Sequence, residues 1–293
     1  MADPGVEQVI VGVDGRQVGY LDRGAADATP VLYLHGQPGS RREQLLIPDD
    51  TLERLGVRMI SVDRPGYGNT DPLQGDRVAR SLDVFTVCDA LGVGTFPLIA
   101  VSAGGSYAVA LAASSGRVER LVLSSAQMPY DDLASIEGLQ PGQLDLLPLV
   151  AMGRVDLVVE VFDLVREALL ADPDGFMAPL MTTLSPSERA WADDPRIREM
   201  LAADMAEGVR RSGDGFLDDM LSWPEPFEVN VADVQCPVRA VHGTADDWEP
   251  LPNLQRILAQ IADTELVLLE GLNHLGPQLH PDLVVGLAIS DAR

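Results

Sequence analysis

Short apolar runs that end in turn-forming residues recur along the chain. A strand with one face in water alternates apolar and polar residues, so a continuous apolar run indicates a strand buried on both faces. These runs are Val31–Leu34, Met59–Val62, Phe96–Val101 and Leu121–Ser124. Residues 77–91 carry apolar side chains at helical spacing, which predicts a helix between two of the strands. Strands that alternate with helices predict a mostly parallel sheet with helices on both faces.

The N-terminal segment follows a different pattern. Val9–Val11 and Val18–Tyr20 are short apolar runs on either side of Asp14-Gly15, a dipeptide that favours a tight hairpin turn. We therefore expect a β-hairpin before the first parallel strand.

The strand pattern is interrupted in residues 129–228. Pro and Gly there separate short helical segments such as Val155–Leu170 and Arg196–Arg211. We interpret residues 129–228 as a helical cap over the sheet, and residues 1–128 and 229–293 as the α/β core.

The parallel pattern resumes after this segment. Cys236–Val241 and Thr264–Leu269 are predicted strands, and a predicted helix over Leu251–Ile261 lies between them. A last predicted helix over Leu283–Ile289 closes the chain.

Size and charge narrow the class of protein. A chain of 293 residues that is 46% hydrophobic suffices for one large α/β domain or for a core with an inserted unit. The formal net charge of −24 argues against nucleic acid and anionic membrane surfaces, which attract Lys and Arg. It also disfavours strongly anionic substrates unless an arginine is placed locally. The oligomeric state stays open.

Targeting signals and cysteine spacing point to the cytoplasm. Met1–Glu7 has no basic start and no apolar stretch, so we expect no signal peptide, and no apolar run approaches the length of a bilayer. Cys88 and Cys236 lie 148 positions apart and fit no metal-binding or redox spacing. We expect two reduced core thiols in a cytoplasmic protein.

One strand-to-helix junction has the composition of a strained turn. Phe96–Val101 runs into Ser102, and small residues stand two positions before and after it, Ala100 and Gly104. Such a turn lifts the serine hydroxyl clear of the sheet and aims the free amides of the helix N-terminus at whatever the hydroxyl attacks. Ser102 is thus a candidate nucleophile, and the backbone N–H of Ala103 is a candidate oxyanion donor. Taken alone, the same serine also fits a plain helix N-cap.

Two later loops carry the partners that a serine nucleophile requires. Asp246 follows the Cys236–Val241 strand, and His274 follows the Thr264–Leu269 strand. The carboxyl ends of parallel strands share one edge of a sheet, so both loops should converge on Ser102. His274 can take the hydroxyl proton, and Asp246 can orient the imidazole and stabilise its cationic form.

Each of these partners has a rival. Asp247 adjoins Asp246, and either carboxylate could face the histidine. His280 competes with His274, but it opens the last helix, whereas His274 directly follows a strand and its turn. We favour Asp246 and His274.

Several neighbouring polar residues fit a role in holding loops. His35 and His242 each precede a glycine at a strand end, and we expect them to hydrogen-bond between adjacent loops. Asp63 and Arg64 should lock their own loop through side-chain to backbone bonds. Trp248 either lines the pocket or shields the acid–histidine pair.

In combination these motifs resemble the α/β-hydrolase superfamily. The resemblance covers nearly the whole chain and includes the turn at Ser102, the Asp63-Arg-Pro-Gly-Tyr-Gly68 loop and both later loops. It is closest to the serine-nucleophile branch with a helical cap, which includes esterase-, lactonase-, peptidase- and cofactor-free haloperoxidase-like proteins. It implies an α/β-hydrolase fold, with a mostly parallel central sheet flanked by helices and an inserted helical cap. Ser102 differs from the aspartate of epoxide hydrolases and haloalkane dehalogenases.

The resemblance also implies roles for single residues. His35-Gly-Gln37-Pro looks like the superfamily's oxyanion turn, which implies the backbone N–H of Gln37 as a second donor, although a glycine-rich loop also serves as a plain turn. The register of Gly243–Pro250 resembles the family pattern with Asp246 as the acid. The implied triad is Ser102, Asp246 and His274, with no metal and no organic cofactor.

The implied reaction is acyl transfer to water through a covalent ester on Ser102, with a small molecule as substrate. An apolar cap suggests a small, largely hydrophobic ester or lactone. Its candidate lining residues are Met152, Phe162, Phe176, Met177, Leu180, Met181, Met220 and Trp223. Two alternatives stay open: the same triad used for C–C bond hydrolysis, decarboxylation or cyclisation, and a non-catalytic ligand receptor on this scaffold.

Overall fold

A computed structural model describes residues 6–132 and 135–290 of the chain. Residues 1–5 lie outside the described part, and they belong to the segment for which we expect no signal peptide. The Leu180 side chain also lies outside it. An eight-stranded sheet has the order β1-β2-β4-β3-β5-β6-β7-β8. Its strands are β1 Val6–Val11, β2 Gln17–Arg23, β3 Thr29–Leu34, β4 Val57–Val62, β5 Phe96–Val101, β6 Val118–Ser124, β7 Val238–Gly243 and β8 Thr264–Leu269.

The strand directions agree with the sequence pattern. β1 and β2 form an antiparallel hairpin, and β2 also runs antiparallel to β4. All pairings from β4 through β3, β5, β6 and β7 to β8 are parallel. The predicted mostly parallel sheet with an N-terminal hairpin is confirmed.

Helices separate most of the parallel strands. They are α1 Asp49–Leu55, α2 Arg77–Ser81, α3 Asp83–Leu91, α4 Gly104–Ser114, α5 Pro141–Ala151, α6 Val155–Ala171, α7 Pro173–Leu180, α8 Pro186–Ala192, α9 Pro195–Arg210, α10 Asp214–Ser222, α11 Leu251–Leu258 and α12 Pro281–Ile289. Short 3₁₀ helices span Arg41–Leu46, Val231–Asp233 and Gly276–Leu279.

The prediction of a single helix over residues 77–91 is wrong in one respect. This segment is divided into α2 and α3 at Leu82, whose N–H bonds to the Ala79 carbonyl three residues earlier, the tighter 3₁₀ spacing. The apolar spacing implied that Leu82 packs on the core. Its side chain is instead 45% exposed, so it does not hold this turn against the core.

Helices cover both faces of the sheet, and β5 supplies side chains to both layers. Leu98 and Ala100 pack in the layer formed with α3, α4 and α11, while Ile99 and Val101 pack in the layer formed with α1 and α12. This explains the unbroken apolar run of β5, because neither of its faces meets water.

Both cysteines are buried free thiols in the first of these layers. Burial raises the pKa of Cys88 to about 12 and that of Cys236 to about 11.

Helices α5 to α10 lie between β6 and β7, and we call them the cap segment. Their apolar cluster includes Phe162, Met220 and Trp223, and it packs on Tyr67 and Tyr130 from the loops at the edge of the sheet. The boundaries of a separate cap domain stay a prediction. Met152 is 65% exposed, which argues against the expectation that it lines a pocket.

None of the helices in the described part of the chain combines the length and apolarity needed to cross a bilayer.

Leu98 offers a test of the central packing. It is fully buried in β5, so Leu98→Ala should lower the free energy of unfolding by about 3 kcal/mol through lost contacts and a cavity. Val9, on the edge strand β1, is 46% exposed, and Val9→Ala should cost less than about 1 kcal/mol. Chemical denaturation measures both, and equal losses would contradict the layered core.

Candidate active site

The turn between β5 and α4 holds Ser102 in a left-handed backbone conformation, with φ of 47°. A non-glycine residue adopts this conformation at a cost of roughly 1–3 kcal/mol, so the surrounding packing must enforce it. A Cβ on Gly104 would lie 2.8 Å from the carbonyl oxygens of both Leu34 and His35, and one on Gly105 would lie 2.5 Å from the Ala126 Cβ. The small residues flanking Ser102 therefore allow α4 to pack directly against the end of β3 and the loop after β6.

Backbone hydrogen bonds fix the turn from the neighbouring strand. The Ser102 N–H donates to the Ser124 carbonyl over 3.0 Å, and the Ser102 carbonyl accepts from the N–H groups of Gly105 (2.9 Å) and Gln127 (2.8 Å). The Ser102 side chain stands in a largely enclosed position, with the residue 8% exposed.

Asp246 and His274 are in direct contact. The His274 Nδ1 lies 3.0 Å from Asp246 Oδ2 and 3.2 Å from Oδ1. Asp246 Oδ1 also accepts the backbone N–H groups of Trp248 and Glu249, each over 3.0 Å. The rival Asp247 instead accepts a hydrogen bond from the side chain of Asn273 over 2.9 Å.

The electrostatics of the pair favour a negative carboxylate beside a basic imidazole. Burial lowers the pKa of His274, but the charge of Asp246 and its hydrogen bond outweigh burial and raise that pKa overall. Burial raises the pKa of Asp246, and the interactions with His274 outweigh it in turn and lower that pKa. Trp248 stacks on the His274 ring with centroids 4.8 Å apart and planes at 27°, which fixes the orientation of the imidazole.

Ser102 and His274 lie at the same edge of the sheet, at the carboxyl ends of β5 and β8. Both residues are described, and no hydrogen bond joins the Ser102 hydroxyl to the imidazole. Such contacts are often long in an unliganded enzyme and shorten when substrate binds. Asp246 occupies Nδ1, so Nε2 is the ring nitrogen left for the serine.

The turn after β3 packs on Ser102. A Cβ on Gly36 would lie 3.1 Å from the Ser102 Cβ, so a larger residue there would require one of the two turns to shift by a few tenths of an ångström. The Gly36 N–H donates to Glu43 Oε2 over 2.8 Å. Within residues 6–132 and 135–290, the N–H groups of Gln37 and Ala103 donate to no acceptor, and they are the two amides predicted to receive an oxyanion.

Arg64 holds the turn after β3 in place. Its guanidinium donates to the carbonyls of His35 (3.2 Å) and Gly36 (3.0 Å), and to Asp219 Oδ1 (2.9 Å). Asp219 lies on α10, so a carboxylate of the cap segment neutralises the cation that braces the predicted oxyanion turn.

Asp219 also gathers the side chains around it. It accepts hydrogen bonds from the hydroxyls of Tyr67 (2.5 Å) and Tyr107 (2.6 Å). In the orientation that satisfies its amide, the Gln37 side chain donates to Asp219 Oδ2 (3.1 Å) and accepts from Trp223 Nε1 (3.2 Å). The Gln37 side chain is thereby occupied, while its backbone N–H is free.

The histidine loop has a similar brace that sequence reasoning missed. Glu188 on α8 accepts the Asn273 N–H over 2.9 Å, and Asn273 Oδ1 accepts the His274 N–H over 2.7 Å. Asp219 gave no signal in the sequence, because single acidic residues in an acidic chain normally face solvent. Ser185 and Glu188 have the spacing of a helix capping box, which marks the start of α8 but does not reveal the contact with Asn273.

The remaining polar residues singled out in the sequence hold loops. His35 Nε2 accepts the Arg64 N–H over 3.0 Å, and His242 Nε2 contacts the Glu249 carbonyl at 2.9 Å. Asp63 accepts the Arg41 N–H over 2.6 Å. His280 is exposed at the start of α12. In the part of the chain that the structure describes, no group of three or more His, Cys, Asp or Glu residues could hold a metal ion.

The fold and the serine-bearing turn define the class of α/β-hydrolase-like proteins. The chain matches the model of the Alpha/beta hydrolase family over residues 31–287, and it belongs to that family. It is 27% identical to the non-heme chloroperoxidase of Streptomyces lividans over 284 residues, which cover 92% of this chain and 94% of the relative.

Solved structures show the same fold. A hydrolase from Pseudomonas aeruginosa PA01 has a TM-score of 0.70 at 19% identity, covering 98% of this chain and 100% of that one. An esterase from Exiguobacterium antarcticum has a TM-score of 0.66 at 18% identity, covering 97% and 100%. The family assignment supports an enzyme of the hydrolase type.

The contact between Asp246 and His274 predicts a titration shift. Asp246→Asn removes the charge that raises the pKa of His274, so that pKa should fall, as followed by NMR of the imidazole C–H signals. A raised histidine pKa adds stability at acid pH that is lost as pH rises through it, so the variant should lose stability mainly on the acid side. Asp247→Asn is the matched control. If it lowered the pKa of His274 equally, the assignment of Asp246 as the acid would be wrong.

The Arg64–Asp219 pair predicts a stability effect. Both side chains are almost fully buried, so Asp219→Ala leaves an unpaired buried cation and should cost about 3–5 kcal/mol of unfolding free energy. Asp218→Ala is the neighbouring control; its carboxylate is 21% exposed and its loss should cost about 1 kcal/mol or less. Denaturant unfolding measures both, and indistinguishable losses would show that Asp219 braces nothing.

Proposed function

We propose that the protein is a serine hydrolase that cleaves a small, largely hydrophobic ester or lactone through an acyl-enzyme on Ser102. The observation that most strongly supports this proposal is the contact of His274 Nδ1 with Asp246, together with two free backbone amides beside Ser102. A general base, a nucleophile on a strained turn and waiting oxyanion donors are the parts that acyl transfer requires.

The proposed reaction has two halves. Ser102 Oγ attacks the carbonyl carbon while its proton passes to His274 Nε2, and the oxyanion accepts hydrogen bonds from the N–H groups of Gln37 and Ala103. The carbonyl re-forms, and the C–O bond to the alcohol breaks as His274 returns the proton to the leaving oxygen. Water then attacks the acyl-enzyme, with His274 again serving as base and then acid. Asp246 stabilises each imidazolium.

Several findings support an ester or lactone of modest polarity. The buried apolar residues of the cap segment include Phe162, Met177, Met220 and Trp223. Solved neighbours of this fold include esterases from Exiguobacterium antarcticum and Rhodococcus. We propose residues 129–228, which include the cap segment, as the unit that covers the substrate.

A second candidate keeps the triad and changes the bond that breaks. A relative from Paraburkholderia phymatum, 34% identical over 148 residues that cover 45% of this chain and 50% of that one, is named a 2-hydroxy-6-oxononadienedioate/2-hydroxy-6-oxononatrienedioate hydrolase. That name describes a substrate with two carboxylates. Glu43 accepts the N–H of Gly36 in the turn beside Ser102, and Arg64, the cation that donates to the Gly36 carbonyl, is paired with Asp219; this arrangement favours the ester over a dioate.

A fluorophosphonate probe tests the proposal. Ser102 should be labelled in the wild type, as located by mass spectrometry of the labelled peptide, because His274 activates it. Ser102→Ala should remove the label with the fold unchanged by circular dichroism, and Ser106→Ala, four residues along the same turn and helix, should retain it.

Substrate panels then separate the candidate reactions. Hydrolysis of p-nitrophenyl esters or simple lactones supports the esterase. Complete inertness with a labelled Ser102 would favour the C–C or other non-ester chemistry. A folded wild type that never labels would favour the ligand receptor and overturn the hydrolase.

A further inference from the structure

Glu43 lies beside the candidate nucleophile and takes no part in the proposed reaction. Its Oε2 accepts the Gly36 N–H over 2.8 Å. The point where a Cβ on Gly36 would lie is 3.6 Å from Glu43 Oε1 and 3.7 Å from Ser102 Oγ. The carboxyl group and the serine hydroxyl therefore flank the same glycine, and Glu43 remains partly exposed.

A second carboxyl group stands against the same turn. Asp204, on α9 of the cap segment, accepts hydrogen bonds from the N–H (3.0 Å) and the hydroxyl (2.6 Å) of Ser40. Its Oδ2 lies 3.3 Å from the position of a Cβ on Gly39. Burial, and then the charge of Glu43, raise the pKa of Asp204 well above its usual range. Asp204 therefore favours its protonated form, and Glu43 is the group of the two that can place a negative charge beside the turn at Gly36.

The nearby cations are already paired. Arg64 acts on Glu43 electrostatically, but its guanidinium forms a 2.7 Å ion pair with Asp219. Arg41 and Arg42, which precede Glu43 in the chain, pair with carboxylates that include Glu207. The chain contains no lysine, so all its basic side chains other than histidine are arginines. A carboxylate on the substrate would meet Glu43 with no matching cation in these pairs.

We propose that Glu43 is a specificity-determining residue, which makes the site select esters and lactones that are uncharged or cationic near the scissile carbonyl and reject those that carry a carboxylate. This proposal rests on the proposed function and names its substrate class. Two unit charges within several ångströms interact by more than 1 kcal/mol in a partly buried site, which is enough to change kcat/KM by about tenfold.

Glu43 also braces the Gly36 amide, and Glu43→Gln separates the two roles. The glutamine keeps a carbonyl oxygen that can accept the Gly36 N–H, so the turn is retained while the negative charge is removed. Glu53→Gln, at an exposed position on α1, is the matched control for the same change in net charge.

The test compares three p-nitrophenyl esters of equal acyl length: the caproate, the ε-aminocaproate and the mono-adipate. In the wild type at about pH 8, kcat/KM for the adipate should be lower than for the caproate by about tenfold or more, and the ε-aminocaproate should be hydrolysed at least as well as the caproate. Glu43→Gln should raise kcat/KM for the adipate relative to the caproate by about fivefold or more.

Either of two results would overturn the proposal while leaving the hydrolase intact. One is a wild type that accepts all three esters equally, a result that needs no variant to fold. The other is an adipate-to-caproate ratio that Glu43→Gln leaves unchanged, or that Glu53→Gln shifts equally. A folded wild type with Ser102 unlabelled by fluorophosphonate would overturn the proposed function, and this proposal with it.

The pH dependence of this substrate preference provides an independent test. Burial raises the pKa of Glu43 to about 7, against the opposing effects of the Gly36 N–H, Arg64, His274 and Tyr33. The carboxyl therefore ionises as pH rises through this value, and the wild-type preference for the caproate over the adipate should grow from about pH 6 to about pH 8. Taking the ratio of two esters cancels the titration of His274, which both share. A ratio that grows equally in Glu43→Gln would assign the effect to Asp204 and overturn the proposal.

Discussion

The close approach of two turns, one after β5 and one after β3, is the constraint on which the site depends. Gly36 lies against the Cβ of Ser102, and Gly104 lies against the carbonyls of Leu34 and His35. A Cβ at Gly104 would collide with those carbonyl oxygens, and one at Gly36 would require a shift of a few tenths of an ångström. Because the two turns touch, two free amides end up beside a serine hydroxyl, and the backbone strain at Ser102 is held by packing rather than relieved.

Carboxylates of the cap segment hold the loops around this contact. Asp219 pairs with the arginine that braces the turn after β3, Asp204 binds Ser40 on that turn, and Glu188 binds the amide before His274. Each is buried, and a buried polar or charged group is tolerated only when it is paired or well hydrogen-bonded. The cap segment therefore helps to hold the loops around this contact in place, and some of the chain's strongly acidic composition serves this internal role.

Regular features of the sequence predicted the fold well. The unbroken apolar runs predicted buried parallel strands, because a strand covered on both faces has no reason to alternate. The small residues that flank Ser102 likewise predicted a close approach of strand and helix. Spacing failed at Leu82, where apolar periodicity implied one helix and a 3₁₀ turn makes two. Met152 fitted an apolar lining by residue type alone and lies largely in solvent.

The sequence by itself determined the sheet, the turn at Ser102 and the loops that carry Asp246 and His274, because these depend on local patterns and on the shared edge of parallel strands. Only the tertiary structure decided which of Asp246 and Asp247 meets the imidazole, and which acids of the cap segment reach the loops below. Those contacts join residues that lie far apart in the chain. The direction in which such a side chain points does not produce a periodic pattern in the sequence. The electrostatic character of the site belongs to this second group, since it depends on how closely charges are brought together and how well water is excluded from them.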